Sequence, residues 1–397
     1  MSGPLLLDLS HTSHTRARTG IQRVARSLHA ALGAHAVAIT HDPWQQAWRE
    51  LEAWEQRNLA SDEPTPKRGA RWPLSSRWRG RWRHWLGQRP SLPAGGGLIV
   101  PEVFSPAVAR ALPDLFAATT GPRIAIFHDA IPLTHPEHTP AKTVARFPDY
   151  LAELAAFDGI AAVSLESRDA LVAHWQTCGR RDVPPVHAIP LGVAPVARAG
   201  EAPPTAATGA PIVLSVGSIE GRKNHLALLD ACERLWAGGA IFTLQLIGLP
   251  NLETGAPALN RIRTLQAEGR PVRFDGPVNE AALADAYANC VFTVYPSVAE
   301  GFGLPVIESL AHGKPCICSS RGALGESARG GGCLATERVD RDSLAVSIAA
   351  LLNDSALRQK LAAAARVRRF KNWDEYAAEL RSWMQTLARR EIATTRN

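Results

Sequence analysis

Two glutamates flanking a glycine-rich turn are the residues of this sequence best placed to do chemistry. Glu300 and Glu308 bracket Gly301 and Gly303, and Pro305 then favours the first turn of a helix. Glycines let a ligand approach the backbone, and a helix N-terminus favours an anion. A carboxylate one turn into the helix can accept both hydroxyls of a vicinal diol. The pattern predicts a nucleotide-sugar site, and the alternative is an ordinary turn with a solvated Glu308.

Apolar strands must position this turn at the edge of a sheet. VFTVY, from Val291, is apolar except for Thr293 and predicts a buried strand just before the turn. Alternation of such runs with amphipathic helical patterns predicts parallel, doubly wound α/β sheets with ligands at the carboxyl ends of strands. The other runs are LLLDL from Leu5, AVAIT from Ala36, LIV from Leu98, RIAIF from Arg123, GIAAV from Gly159, VHAIP from Val186, IVLSV from Ile212, FTLQLIG from Phe242, VRFDG from Val272 and PCICSS from Pro315.

One break in this alternation divides the chain into two domains. Residues 194–211 are rich in Pro, Ala and Gly and lack periodicity, which predicts a linker. We therefore predict an N-terminal domain over residues 1–193 and a C-terminal domain over 212–372. A final helix is predicted to start near Trp373.

A second turn, at the start of the predicted C-terminal domain, carries adjacent cations. Gly217 and Gly221 precede Arg222 and Lys223, which open a helix. A nucleoside diphosphate gains negative charge as it leaves a sugar, and two fixed cations would stabilise that charge. The alternative is a solvated helix start.

Polar residues also follow a strand in the first half. His128 and Asp129 come directly after RIAIF, and this position at a carboxyl end favours function over a purely structural histidine. The loop over residues 10–20 links the first strand to the first helix and contains Thr19 and Gly20.

The glutamate turn, E-G-F-G-L-P-x-x-E over residues 300–308, strongly resembles the donor-site signature of the family-4 retaining glycosyltransferases of GT-B fold. G-x-x-x-x-R-K-N over 217–224 resembles their pyrophosphate clamp. FHDAIPLTHPE over 127–137 is similar to a loop of their mannosyl- and rhamnosyltransferase-like members. The resemblance implies two Rossmann-like domains facing an interdomain cleft, with the helix over 373–390 crossing back to the N-terminal domain.

The resemblance also implies a function and roles. The implied function is that of a retaining hexosyltransferase. Its donor would be a nucleoside diphosphate sugar, with GDP-mannose favoured, and its acceptor a glycan or lipid-linked glycan in polysaccharide or lipopolysaccharide synthesis. Glu308 is expected to bind the ribose diol and Glu300 the sugar hydroxyls, while His128 faces the sugar and Asp129 orients it. The other expected donor-binding residues are Gly217, Arg222, Lys223, Gly301, Phe302, Gly303 and Leu304, and Thr19 and Gly20 form the acceptor-side loop.

Neither a metal nor another cofactor is expected. Asp340 and Asp342 have the D-x-D spacing of metal-dependent glycosyltransferases, but they precede an apolar helical pattern and are predicted to cap it. Six cysteines in 397 residues are not a disulfide framework. Cys316 and Cys318 are interpreted as small core residues, since no spacing supplies a tetrahedral set.

The positive charge is concentrated in one segment. Lys and Arg number 44 against 37 Asp and Glu, and eight of the 44 lie in residues 67–89, which leaves 36 against 37 elsewhere. Trp78, Trp82 and Trp85 share one helical face there, which predicts docking on an anionic membrane surface. The alternative is an insertion whose tryptophans pack on their own domain. With no basic leader and no membrane-spanning stretch, we expect a cytoplasmic protein, peripheral at the inner membrane.

Two other functions remain open from the residues alone. A sugar-nucleotide epimerase of the same architecture would share the phosphate-binding features but would turn over without an acceptor. A nucleic-acid-binding protein would use the basic, tryptophan-rich segment for phosphates and stacking, although nucleic acid is not the expected partner.

Overall fold

Thirteen strands and fifteen α-helices form within residues 3–63, 69, 71–194 and 209–390, which are those that the computed structural model describes. The strands are β1 (Leu5–Asp8), β2 (Ala36–Asp42), β3 (Ala47–Glu50), β4 (Gly97–Val100), β5 (Arg123–Phe127), β6 (Gly159–Ala162), β7 (Val186–Ala188), β8 (Ile212–Val216), β9 (Thr243–Ile247), β10 (Val272–Gly276), β11 (Phe292–Tyr295), β12 (Cys316–Ser319) and β13 (Cys333–Thr336). The helices are α1 (Gly20–Leu32), α2 (Ala53–Ala60), α3 (Leu74–Trp85), α4 (Pro106–Ala117), α5 (Ile131–Thr134), α6 (Ala141–Glu153), α7 (Leu165–Thr177), α8 (His225–Ala237), α9 (Ala256–Ala267), α10 (Glu280–Asn289), α11 (Leu304–Ala311), α12 (Gly322–Ala328), α13 (Arg341–Asn353), α14 (Ser355–Arg366) and α15 (Trp373–Gln385). None of these helices is long and apolar enough to cross a membrane.

The first sheet has the order β3-β2-β1-β4-β5-β6-β7. Every pair is parallel except β2 with β3, where Thr40 lies opposite Arg49 in an antiparallel edge. β1, β4, β5 and β6 are fully buried, because helices of a doubly wound fold cover both faces. The continuous apolar runs of the sequence follow from this burial.

The last helix, α15, belongs to the same unit as this sheet and packs against α1. The C-terminal segment can approach the sheet closely because β4 and β6 each begin with a glycine. A Cβ on Gly97 would lie 2.5 Å from Met384 Cε, and one on Gly159 would lie 2.6 Å from a Leu387 methyl. Beyond the helix, the Arg390 N–H donates to Asp158 Oδ1 at 2.6 Å, and Asp158 also pairs with the buried Arg123. The end of the described chain is therefore part of the core around this sheet.

The second sheet is entirely parallel, with the order β10-β9-β8-β11-β12-β13. Its core is formed by strand residues such as Val213, Leu244 and Phe292 packed against Leu228 of α8 and Ile262 of α9. β11 lies between β8 and β12, so the predicted glutamate turn leaves the middle of the sheet at its carboxyl end.

The contacts within the chain divide it into two units that differ from the predicted domains in one segment. Ala130–Ala145 clusters with the second unit, although we predicted residues 1–193 as one domain. The physical reason is local packing, since a Cβ on Gly221 would lie 3.2 Å from His138 Nδ1. Most of the predicted linker, residues 195–208, and residues 67, 68 and 70 of the basic segment lie outside the described residues.

Candidate active site

The glutamate turn has the predicted strand, turn and helix. β11 is buried along its length, and α11 begins after Gly303, with a proline in its first turn and no side chain capping its N-terminus. Gly303 has a φ of 94°, a left-handed conformation that favours glycine, and a Cβ there would lie 2.9 Å from Leu324 Cδ2. Ser327 of α12 donates to the Phe302 carbonyl at 2.7 Å, which fixes the turn from its other side.

The cations of the second turn contact Glu300. Arg222 Nη1 lies 2.5 Å from Glu300 Oε2, and Lys223 Nζ lies 2.6 Å from Oε1. Arg222 Nη2 also pairs with Glu220 at 2.8 Å, and Lys223 donates to the Tyr295 hydroxyl. We call these five side chains the Glu300 cluster. The contacts of the two cations with Tyr295 and Glu300 join residues 72 to 78 positions apart, and they form because β8 and β11 are neighbours.

Burial and charge oppose each other in the Glu300 cluster. Burial raises the pKa of the Glu300 carboxyl, but Arg222 and Lys223 lower it by more than burial raises it, and the resulting pKa is about 2. Burial lowers the pKa of the Lys223 ammonium below its ordinary value, and the Glu300 carboxylate opposes that shift. Glu300 is therefore ionised at neutral pH, and together with Glu220 it offsets the charge of buried Lys223 and half-buried Arg222. Such an arrangement can bind a polyanion that replaces the carboxylate.

Hydrogen bonds of the backbone and of Asn224 hold the two turns together. The Val298 N–H donates to the Arg222 carbonyl at 2.9 Å. Asn224 takes a left-handed conformation with φ 54° directly before α8, and its amide donates to the Pro296 carbonyl at 3.3 Å and to the Val339 carbonyl at 2.7 Å. Gly217 directly follows β8 and lies beside Lys223 and Tyr295.

Glu308 lies in α11 and has a partner that the sequence did not suggest. The Tyr287 hydroxyl of α10 donates to Glu308 Oε2 at 3.2 Å. Tyr287 is buried, and its ring stacks on His312 with centroids 4.7 Å apart. This contact fixes one carboxylate oxygen of Glu308.

His128 lies at the carboxyl end of β5 in the first unit, as predicted. The His128 Nε2 donates to the Pro101 carbonyl at 2.7 Å. The backbone carbonyl of His128 accepts a hydrogen bond from the Ser167 hydroxyl at 2.8 Å. Burial lowers the pKa of the imidazole, so a neutral ring presents Nδ1 as an acceptor. Asp129 follows it, half-buried.

The loop between β1 and α1 is held by a carboxylate that sequence reasoning missed. Glu102 is buried and accepts the N–H groups of His11 and Thr12, both at 3.0 Å. A signal was available, because Glu102 follows β4 at the same edge of the sheet. Asp8 at the end of β1 was also missed, and burial raises its pKa to about 7 although hydrogen bonds from Ser10 oppose the shift.

Thr19 and Gly20 lie at the start of α1, where the Thr19 hydroxyl contacts the Gln22 side chain. A Cβ on Gly20 would meet no atom within 4 Å, so neither packing nor positive φ requires glycine there. The helix-capping prediction for the D-x-D pair is confirmed for Asp340, whereas Asp342 lies in the first turn of α13. Asp340 accepts from the Ser343 N–H at 2.8 Å, and Asp342 pairs with Arg234 at 2.6 Å.

Residues 201–368 match the model of the family described as Glycosyl transferases group 1. This region is a group 1 glycosyltransferase domain. The match contains the Glu300 cluster and α11, so both predicted turns lie in the group 1 domain. The family resemblance seen in residues 300–308 is thereby confirmed.

Relatives and a solved structure extend the similarity beyond the group 1 domain. The serotype-specific mannosyltransferase WbdA of Escherichia coli is 26% identical over 342 residues, which cover 79% of this chain and 38% of WbdA. The O-antigen chain mannosyltransferase B of Escherichia coli is 32% identical over 147 residues, 37% of this chain and 38% of that protein. The chain thus spans about two fifths of the length of each relative. HepE of Anabaena, solved with UDP and glucose, superposes with a TM-score of 0.66 at 15% identity over 97% of this chain and all of HepE. The predicted fold class is confirmed as GT-B, with two α/β domains.

Proposed function

We propose that this protein is a retaining, metal-independent hexosyltransferase that uses GDP-mannose in polysaccharide or lipopolysaccharide synthesis. The observation that carries the proposal is the Glu300 cluster, which fixes two cations beside the α11 turn of a group 1 domain. Similarity to two Escherichia coli mannosyltransferases supports a mannosyl donor and a glycan acceptor. HepE, solved with UDP and glucose, supports a nucleotide-sugar donor of some kind.

In this proposal the group 1 domain binds the donor from three sides. Arg222 and Lys223 take the diphosphate, Glu308 takes the ribose diol, and the bare backbone of Gly301 faces the ligand. Since Glu300 already pairs with both cations, an incoming diphosphate competes with it for them. Displaced in this way, the Glu300 carboxylate accepts hydrogen bonds from hydroxyls of the sugar.

The transfer breaks the bond between sugar C1 and the diphosphate oxygen, and the electron pair leaves with the diphosphate. The acceptor hydroxyl forms the new bond to C1 on the same face, and its proton goes to the departing diphosphate. Arg222 and Lys223 stabilise the developing charge, which is the work a metal does in other transferases. No covalent nucleophile is proposed. The sugar-facing roles of His128 and Asp129 and the acceptor-side role of Thr19 and Gly20 stay predictions.

A thermal-shift panel of nucleotide sugars tests the donor site. A ligand that binds only the folded state stabilises it by about 2.7 kcal/mol at about 100 times its Kd. We expect GDP-mannose to raise the Tm of the wild type and of Glu268→Ala, a control at an exposed glutamate of the same domain, but not of Glu308→Ala. No shift with any nucleotide sugar would contradict the proposal.

The product of the reaction tests the chemistry. Incubation of the responding donor with glycan and lipid-linked acceptors should give a glycoside whose anomeric configuration, measured by NMR, equals that of the donor. Inversion would contradict a retaining mechanism. Formation of an epimeric nucleotide sugar without any acceptor would instead support the epimerase alternative.

We also propose that α3 docks the enzyme on an anionic membrane surface. Trp78, Trp82 and Trp85, which we call the tryptophan face, are 68%, 61% and 75% exposed. This exposure disagrees with the alternative, which required these tryptophans to pack on their own domain. The opposite side of α3 is docked instead at Gly80, where a Cβ would lie 2.8 Å from Trp44 Cβ. The glycine inside the helix therefore positions it against the β2–β3 turn.

The arginines of α3 are partly engaged within the protein. Arg79 and Arg83 pair with Glu52 at 3.0 and 3.2 Å, and Arg81 lies 4.6 Å from the centre of the Trp44 ring. These contacts leave α3 with a net positive charge, since two arginines share one carboxylate. Each basic residue near an anionic surface contributes about 1 kcal/mol to binding, and tryptophan favours the headgroup region.

Co-sedimentation with vesicles of neutral or of anionic lipid, at low and at high salt, tests this docking. We expect the wild type to bind anionic vesicles, and a variant with all three tryptophans of the tryptophan face changed to alanine to lose most of that binding. The matched control changes Ile241, Leu252 and Val367, which are exposed apolar residues of the other unit, to alanine. Equal partitioning of all three proteins, or none, would contradict the docking proposal.

A further inference from the structure

Three thiols meet behind the donor-site helix, at a place that the proposed reaction does not use. Cys316 and Cys318 are two residues apart on β12, so their side chains lie on the same face of the strand. Cys333 begins β13 and is the register partner of Cys316. The three sulfur atoms all lie within 4.8 Å of one another. We call these residues the thiol cluster.

This spacing fits one metal ion. Three thiolates bound to a single ion at a metal–sulfur distance of about 2.3 Å would stand about 4.0 Å apart if they were coplanar with it. Movements of a few tenths of an ångström in each side chain would bring the sulfurs to that separation. A disulfide is a poorer fit, because it needs two sulfurs at about 2.05 Å and leaves the third without a role.

The surroundings of the thiol cluster favour a soft ion. Cys316 and Cys318 are buried among Val306, Leu310 and Leu324, and Cys333 is half-buried. Within the part of the chain that the structure describes, no histidine, aspartate or glutamate joins the three sulfurs as a fourth ligand. Structural zinc almost always takes four ligands, whereas Cu⁺ accepts three sulfurs, and thiolates select soft ions generally.

A positively charged side chain, Arg368, also interacts with the thiol cluster. The Arg368 guanidinium donates to the Ser327 and Gly331 carbonyls at 3.1 and 3.0 Å, and it interacts electrostatically with Cys318 and Cys333. Three thiolates around a monovalent ion carry a net charge of minus two, which Arg368 partly offsets.

From these observations we propose that the thiol cluster of Cys316, Cys318 and Cys333 binds one thiophilic metal ion, with Cu⁺ the ion that suits it best. Binding releases the protons of the three thiols and changes no oxidation state. The ion would tie β12 to β13 directly behind α11 and so stabilise the second sheet. This role is separate from transfer and does not depend on the donor assignment.

Titration of the reduced full-length protein with Cu⁺, against a chromophoric Cu⁺ chelator, tests the proposal. We expect one ion per chain in the wild type and in Cys178→Ser and Cys290→Ser, which remove an exposed and a buried thiol outside the thiol cluster. Loss of even an outer-shell partner costs a metal site about 10- to 100-fold in affinity, so Cys333→Ser should weaken binding at least tenfold. Cd²⁺ serves as a second probe, through its thiolate charge-transfer absorbance in the ultraviolet.

Controls for folding keep the test decisive. Cys316→Ser is a second variant of the thiol cluster, and Cys333→Ser should disturb the fold less because Cys333 is only half-buried. Thermal unfolding without metal checks that both variants are folded. Metal should raise the Tm of the wild type but not of Cys333→Ser. Equal affinity in the wild type and Cys333→Ser, or no ion bound by the wild type, would overturn the proposal. A mass loss of 2 Da under mild oxidation shows that a disulfide has formed. If bound metal did not prevent that loss, the proposal would also be overturned.

Discussion

Replacing Arg222 and Lys223 together with alanine should impair both stability and turnover, because the two cations hold a buried carboxylate. The pKa of Glu300 is about 2, against 4.5 for an ordinary glutamate. At about 1.4 kcal/mol per pKa unit, this difference corresponds to about 3 kcal/mol of stabilisation. Removing one side of a buried ion pair typically costs about 3–5 kcal/mol, which agrees with that estimate. We therefore expect the free energy of unfolding at pH 7 to fall by about 3 kcal/mol.

The pH dependence of this loss has a defined sign. Because folding lowers the pKa of Glu300, the stabilisation is fully present above about pH 4.5 and is lost as the pH falls towards 2. The wild type and the double variant should therefore differ in stability at pH 7 and converge on acidification. Urea unfolding at a series of pH values measures this convergence.

Turnover should respond separately from stability. A hydrogen bond to a charged group contributes about 1.5–3 kcal/mol, so loss of both cations should reduce kcat/KM by about 10²–10⁴-fold. Adding Glu300→Gln to the double variant removes the uncompensated charge. That triple variant should regain stability, which would show that the loss of stability in the double variant comes from the buried, uncompensated carboxylate.

Arg234→Ala combined with Arg341→Ala is the matched control. Both arginines are exposed and pair with Asp342 in the same unit. We expect neither kcat/KM nor the urea midpoint to change. A double variant at Arg222 and Lys223 that kept wild-type kcat/KM would refute the clamp, and an unchanged urea midpoint would refute the energetic role assigned to the Glu300 cluster.

Three further variants extend these tests. Tyr287→Phe removes the hydroxyl that holds Glu308 Oε2, so we expect the KM for the donor to rise about tenfold in steady-state kinetics, with Tm little changed. Asp340→Ala with Asp342→Ala should leave turnover intact, and so should EDTA; activity lost in EDTA and restored by Mg²⁺ or Mn²⁺ would contradict metal independence. Because folding raises the pKa of Asp8 to about 7, the wild type loses stability as pH rises from about 4 to 7. Asp8→Asn should therefore raise the urea midpoint more at pH 8 than at pH 5, and an equal change at both would refute the shift.

The sheets could be predicted because strands buried on both faces carry continuous apolar runs. Two of the described strands, β3 and β13, were not predicted. The β3 segment, AWRE, is an antiparallel edge with charged residues, among which Arg49 is buried only because it pairs with Asp42 and Glu55. The β13 segment, CLAT, is short and only partly buried, and it pairs with β12 alone.

The candidate site was predictable wherever residues were close in sequence and belonged to a dense motif. Glu308 followed from the turn and the proline, but its contact with Tyr287 depends on how α10 packs beside α11, for which no local pattern exists. Cys333 lies fifteen residues after Cys318, and only the parallel register of β12 and β13 brings the two together. Contacts set by register or helix packing are long-range properties of the fold and leave little trace in local sequence.

The place of α15 in the core of the first unit has a consequence for synthesis on the ribosome. The strands of that unit emerge early, but Met384 and Leu387, which cover Gly97 and Gly159, are translated after the whole second unit. At about 5–20 residues per second, the roughly 180 residues between Gly192 and Trp373 take about 10–40 s to make. During that interval the nascent first unit exposes the apolar surface that Met384 and Leu387 cover in the folded protein. We therefore expect the nascent chain to need chaperone protection, and truncation before Trp373 to give insoluble protein.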